Sequence, residues 1–207
     1  MTSNSDALFD GKKEYATRQA KDASPKGSWD EGVTGLLGVV NAHPHLYSTS
    51  SCSGRVSIYV EGPKGRKGGG EWLFVTHAFS EFAAMKLDEL HVDGGGSERE
   101  IVMKFEPMIL HLCARNAAMA TKALGMAISC GFRESGMVPQ KGRETVMVGI
   151  RSSLRLEIPL GSVTPDGAAL DLKLDQAYLL WLQHIVERKF AENEERIHRL
   201  ERGFREL

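Results

Sequence analysis

The sequence lacks most of the short signatures that mark common enzymes. No G-x-G-x-x-G run follows its first strand-like stretch, so a dinucleotide or Rossmann-type adenosine site has no support. The glycine-rich stretch from Gly65 to Gly70 does not end in the Gly-Lys-Ser/Thr of a phosphate loop. H-E-x-x-H, G-x-S-x-G and clustered metal ligands are also missing, and no metal site is expected. Cysteine is scarce: Cys52, Cys113 and Cys130 are odd in number and form no C-x-x-C pair. That argues against a disulfide framework or a zinc knuckle and for a reducing compartment. No apolar run approaches the roughly 18 residues that span a bilayer. Met1 to Asp10 is polar and acidic, unlike a secretory signal. Charge of either sign is not in excess: 26 basic side chains face 27 acidic ones, a net charge of −1. Any nucleic-acid site must therefore come from a local patch. The expectation is a soluble cytoplasmic protein with no membrane partner.

What is present suits one globular domain over residues 1–207, with 42% hydrophobic residues for its core. Ala7 to Ala20 reads as a charged helix. Ser28-Trp29-Asp30-Glu31 reads as a capping box, with Ser28 as the cap, and Val33, Leu36, Leu37 and Val40 follow at helical spacing. Val56, Ile58 and Val60 alternate as in a strand, and Trp72 to His77 is apolar on both faces, as in a central strand. Glu81 to Leu90 predicts a helix. A strand from Glu100 to Phe105 is interrupted by Pro107 and resumes from Met108 to Arg115. Asn116 caps a helix closed by Gly131. Extended segments follow near 132–138, 145–151 and 155–160, then a turn at Pro165-Asp166-Gly167 and a long final helix from Asp175 to Phe204. Strands and helices mix without a steady βαβ beat. The predicted fold class is α+β: a single domain with a mixed, largely antiparallel sheet (a pseudo-barrel), flanking helices and a long C-terminal helix, not a doubly wound Rossmann-type fold.

The densest chemistry lies in Ser50-Ser51-Cys52-Ser53-Gly54-Arg55, read as a turn between two strands. Hydroxyls, backbone N–H groups and one guanidinium suit a small anionic or zwitterionic ligand. Cys52 is either a nucleophile or a small pocket-lining residue. His77 ends a strand, where functional groups often sit. Glu106 follows Lys104-Phe105, and His111, Cys113 and Arg115 share one face of a regular strand amid apolar neighbours, so a satisfied polar site must lie there. From Arg133 to Arg155 there are five basic and two acidic residues, and Lys64, Arg66 and Lys67 add to this basic character, which suits RNA phosphates or a solvated rim.

Taken in order, Ser-Ser-Cys-Ser-Gly-Arg (50–55), Trp-Leu-Phe-Val-Thr-His (72–77), Lys-Phe-Glu-Pro (104–107), His111 with Arg115, Gly-Phe-Arg-x-Ser-Gly (131–136), Ile-Arg-Ser (150–152) and Pro-Leu (159–160) resemble the tRNA wybutosine-synthesising protein 3 family. Phe9-Asp10 with Lys12-Lys13, Lys26-Gly27-Ser28-x-Asp30 and the final helix extend the resemblance over nearly the whole chain. The resemblance implies a methyltransferase that uses S-adenosyl-L-methionine. It implies methylation of N-4 of the 7-aminocarboxypropyl-demethylwyosine intermediate in the anticodon loop of tRNA(Phe). It further implies that Ser51, Ser53, Gly54 and Arg55 hold the donor's amino-acid end, and that His77, His111 or Glu106 takes a proton or orients the base. Arg115, Arg133, Ser135, Arg151 and Ser152 are the implied substrate contacts. The sequence does not choose among the three candidate bases. A non-catalytic tRNA-binding scaffold and a cysteine hydrolase built on Cys52 are the competing readings.

Overall fold

The computed structural model describes residues 4–19, 27–62, 68–92, 99–165 and 169–207. The basic side chains of Lys64, Arg66 and Lys67, the loop at 94–96 and most of the 165–167 turn lie outside the described residues. Five helices are seen: α1 (Asn4–Gln19), α2 (Thr34–Ala42), α3 (Phe79–Ala84), α4 (Ala117–Ser129) and α5 (Gln176–Arg205). The strands are β1 (Leu46–Val60), β2 (Glu71–Thr76), β3 (Arg99–Ala114), β4 (Gly136–Pro139), β5 (Val146–Ile150), β6 (Leu156–Val163) and β7 (Leu170–Leu172). Their order is β2-β1-β3-β5-β4, with β6 on β3 and β7 on β6. The registers of β1 with β2, β3 with β5 and β6, β4 with β5, and β6 with β7 are antiparallel. The fold class is thus α+β, as expected. Among the described residues no helix is long and apolar enough to cross a membrane.

The chain divides into two compact units. One comprises Met1–Ser53, Pro107–Ser153 and Glu192–Leu207; the other comprises Gly54–Glu106 and Leu154–Ala191. In the first unit, one sheet face carries Leu46, Leu110, Leu112, Val146, Val148 and Ile150. These pack against Leu36, Leu37 and Val40 of α2, Ala120, Ala123 and Ala127 of α4, and Ile197, Leu200 and Phe204 of α5. The period-two and period-3.6 patterns anticipated from the sequence meet in that core. Asn116 caps α4 by accepting the Met119 N–H at 2.9 Å, and Gly131 (φ 100°) closes it, as expected.

The opposite sheet face carries Tyr47 and Cys113, covered by Phe9 of α1. Two cations hold that helix. Lys13 donates all three ammonium protons to carbonyls, those of Asn41, His43 and Leu46, at 2.6–2.8 Å. Arg115 pairs with Asp6 at 3.0 Å and with Asp10, and its guanidinium lies 4.3 Å from the centroid of the Phe9 ring.

In the second unit, Val56, Ile58 and Val60 of β1, Ile101, Met103 and Phe105 of β3, Leu160 and Val163 of β6, and Phe82 of α3 form the core with Leu179, Leu182 and Val186 of α5. Phe190 extends it, edge-on to Phe105 at 5.0 Å.

Five local expectations are corrected. The Ser50–Arg55 run is not a turn; it lies inside the unbroken strand β1, where Gly54 (φ 105°) supplies a left-handed residue that a side chain would disfavour. Pro107 does not end its strand either. β3 pairs with β6 up to Phe105 and with β5 from Leu110, so the proline, which has no N–H, falls in the gap between partners. β2 lies at the end of the strand order rather than in the middle, leaving Trp72 51% and Val75 41% exposed. The capping box does not form. Ser28 is exposed, a 3-10 turn (Glu31–Val33) precedes α2, and the Asp30 carboxylate accepts the Ser53 N–H at 2.8 Å instead of capping. The segment expected as one helix to Leu90 is α3 followed by a separate 3-10 turn at Leu87–Glu89.

Candidate active site

His111 is the centre of the first unit's polar cluster. It sits on β3 directly across from Gly149 of β5. A Cβ at Gly149 would come within 3.3 Å of the imidazole Cδ2, so the glycine is what gives the ring its room. Ser50 Oγ lies 3.0 Å from Nδ1, and Arg151 Nη2 lies 3.4 Å from Nε2. A guanidinium can only donate. With Arg151 donating to Nε2, the arrangement selects the tautomer in which Nδ1–H donates to Ser50 and Nε2 is the accepting nitrogen. Ser135 supports this geometry from the next turn: its hydroxyl accepts the Arg151 N–H at 3.1 Å and donates to the Phe132 carbonyl at 2.6 Å. Thr49 donates to the His111 carbonyl at 3.1 Å, tying β1 to β3 beside the ring.

Two buried side chains fix the Ser53 main chain. Asp30 takes its N–H, and Asn193 Nδ2 donates to its carbonyl at 2.7 Å. Asn193 Oδ1 also accepts the Met108 N–H at 2.8 Å, which satisfies the amide that follows Pro107. Sequence reasoning missed Asn193. The signal was available: it is a polar residue at a seam position between Phe190 and Ile197.

The second unit holds a different cluster, on Arg55. Its Nε pairs with Glu106 Oε2 at 2.7 Å, and its guanidinium lies over Trp72, 5.1 Å from the ring centroid. Trp72 is stacked in turn on Tyr59, with centroids 4.7 Å apart. Gly70 permits that placement, since a Cβ there would collide with the Tyr59 hydroxyl. Glu106 occupies Nε. The Nη1/Nη2 edge of Arg55 faces no protein carboxylate among the described residues, and a partly exposed tryptophan lies beside it. That combination fits a ligand carrying a carboxylate. The sequence does not mark Trp72 and Tyr59 as ligand contacts, because the apolar run from Trp72 reads as a central strand.

The remaining candidates divide as follows. Ser135 and Arg151 join His111. Arg115 is engaged by α1. Arg133 is exposed near the start of β4. Ser152 is buried and accepts Arg196 Nη1 at 2.5 Å. Ser51 is buried and Cys52 half-buried within β1. His77 is exposed immediately after β2. Of the three candidate bases, His111 belongs to the first unit, whereas His77 and Glu106 belong to the second.

Relatives similar to this chain over most of its length are named as tRNA wybutosine-synthesizing proteins and, in one case, as a tRNA(Phe) methyltransferase. The chain belongs to the Methyltransferase TYW3 family, whose sequence model matches residues 12–206. The tRNA wybutosine-synthesizing protein 3 of Schizosaccharomyces pombe is 41% identical over 206 residues, covering 94% of this chain and 86% of the relative. A Thermococcus sibiricus relative, named tRNA(Phe) 7-((3-amino-3-carboxypropyl)-4-demethylwyosine(37)-N(4))-methyltransferase, is 30% identical, covering 96% and 95% of the two chains. Among solved structures, the PH1069 protein from Pyrococcus horikoshii superposes with a TM-score of 0.77 at 25% identity, covering 98% of each chain. The chain is a methyltransferase, so a methyl donor is required.

Proposed function

We propose that this protein transfers the methyl group of S-adenosyl-L-methionine to N-4 of the 7-aminocarboxypropyl-demethylwyosine base of tRNA(Phe), in the cytoplasm. The observation that carries this reading is the His111 cluster: an imidazole set in one tautomer by Ser50 and Arg151, with Nε2 as its accepting nitrogen. The bound donor supplies a sulfonium-activated, electrophilic methyl group. What remains for the protein is to align the reacting atoms and accept a proton. His111 Nε2 takes the proton from the ring nitrogen as the substrate displaces the Arg151 guanidinium from it, and Ser50 keeps the ring aimed as the imidazolium forms. The free guanidinium edge of Arg55 binds the donor's carboxylate, next to the exposed Trp72 ring, and the Ser51–Gly54 stretch of β1 lies beside it in sequence. The activity in the Thermococcus relative's name supports the choice of base and position.

The test is methyl transfer from labelled donor to tRNA(Phe) prepared from a strain lacking this protein. The wild type should label the tRNA, and His111→Gln should lose about 10²–10⁴-fold in rate with donor affinity retained. Arg55→Ala should weaken donor binding measured by calorimetry. Tight tRNA binding with no donor binding would instead identify a scaffold.

A further inference from the structure

A cavity of about 340 Å³ opens in the first unit between α1 and the turn joining β4 to β5. Lys12 and Arg143 stand at its rim, Leu8 forms one wall, Gln140 and Thr145 form another, and Tyr47 is its floor. Tyr47 packs on Cys113, which is two residues from His111 on β3. Alternate residues of a strand share a face, so the cavity lies on the sheet face that bears the imidazole, about 7 Å along the strand.

The lining offers donors and positive charge. Lys12 and Arg143 are exposed. The carboxylates of α1 nearest to them in sequence are committed elsewhere: Asp6 and Asp10 to Arg115, and Glu14 to Arg18. The floor adds no counter-charge. Burial pushes both the Tyr47 phenol and the Cys113 thiol up, so each is neutral at physiological pH. Gln140 is oriented by its own turn. Its N–H meets the Thr145 carbonyl at 3.1 Å, its carbonyl accepts the Arg143 N–H at 3.1 Å, and its side-chain oxygen accepts the Thr145 hydroxyl at 2.8 Å. The Gln140 amide NH₂ is left as a donor.

We propose that this cavity is a phosphate subsite, in which Lys12 and Arg143 hold a backbone phosphate of the RNA close to the nucleotide presented to His111. The proposal rests on the reading that the substrate is RNA. It adds the contact that fixes RNA register on the protein, since phosphate contacts position a nucleic acid while base contacts specify it.

The experiment measures binding of tRNA(Phe) between about 50 and 200 mM salt for the wild type, Lys12→Gln, Arg143→Gln and the double variant, with Arg18→Gln as a cation elsewhere on α1. Each single variant should bind about 3–10-fold more weakly, and the slope of log affinity against log salt should fall by about 0.7 per lost contact. Arg143→Lys should recover part of the loss, Arg18→Gln should change little, and calorimetry should show unaltered donor affinity. Wild-type affinity and slope in the double variant would overturn the proposal. So would an equal loss in Arg18→Gln, which would reduce the effect to net charge. Loss of donor binding in the double variant would also overturn it, by making the anion the donor's carboxylate. If tRNA binding behaves as expected but the wild type transfers no methyl group, the enzymatic reading fails and the subsite stands.

Discussion

Ser53, Met108 and Asn193 show how much a single side chain can hold in place. Asn193 is 3% exposed and gives one hydrogen bond to each of two main-chain segments. Asn193→Ala removes the amide that the buried Met108 N–H donates to and that holds the half-buried Ser53 carbonyl, and each buried group so deprived costs about 1–3 kcal/mol. We expect destabilisation of about 2–5 kcal/mol by urea unfolding; a value under 1 would mean that water replaces the amide without loss. Gly149 provides a contrasting case. Gly149→Ala places a methyl group 3.3 Å from the His111 ring, so the ring must shift by a few tenths of an ångström. Stability should change little, while methyl transfer falls about tenfold because misplacing a reacting group is costly. An alanine variant with full activity would remove His111 from the reacting centre. Both effects depend on registers that the sequence does not print. Gly149 faces His111 only because β5 runs antiparallel to β3 with that pairing. The serine-rich run and His111 were legible as chemistry; the bond between Ser50 and His111, 61 residues apart, was not.

At the scale of elements, α1 is held by charge more than by apolar area. Among its described residues Phe9 is the one fully buried large side chain, and Arg115, with its side chain 17% exposed, ties the helix down through Asp6 and Asp10. Arg115→Ala should free the helix, so limited proteolysis should cut within 4–19 at rates well above wild type while the remaining core resists. The C-terminal end of α2 adds a pH dependence. His43 Nδ1 accepts the His45 N–H at 3.1 Å, which requires that nitrogen to be unprotonated. Burial, then the neighbouring His45, Lys13 and Lys122, hold the His43 pKa below 6.5. A folded-state pKa lowered in this way means that the unfolded chain binds more protons below about pH 6.5. Stability is therefore full above that pH and is lost as pH falls through the folded value. His43→Gln should flatten the stability profile between about pH 5 and 7; an unchanged profile would assign the slope to another group. Elements with a clean period were readable from sequence: α4 with its cap, α5 almost to the residue, and the alternation in β1. What misled was local punctuation. Gly54 and Pro107 both read as breaks, yet each lies within a long strand: Gly54 takes a positive φ inside β1, and Pro107 falls where β3 changes partner from β6 to β5.

For the whole molecule, connectivity sets the question. The chain passes between the two compact units at 53/54, 106/107, 153/154 and 191/192, and three of these points fall inside β1, β3 and α5. Neither unit is a continuous stretch of sequence, so no single cut separates them, and unwinding either half of α5 frays an element that belongs to both. We propose on this ground that residues 1–207 unfold as one cooperative domain. Leu182 and Leu200, each fully buried, report on one unit each. Truncating a buried leucine to alanine costs about 2–5 kcal/mol. At about 2–4 °C per kcal/mol for a chain of this size, each variant should lower one shared calorimetric transition by about 5–15 °C. The enthalpy from the shape of that transition should equal the calorimetric enthalpy. Two transitions, with Leu182→Ala moving one and Leu200→Ala the other, would show that the units are independent domains despite the shared helix.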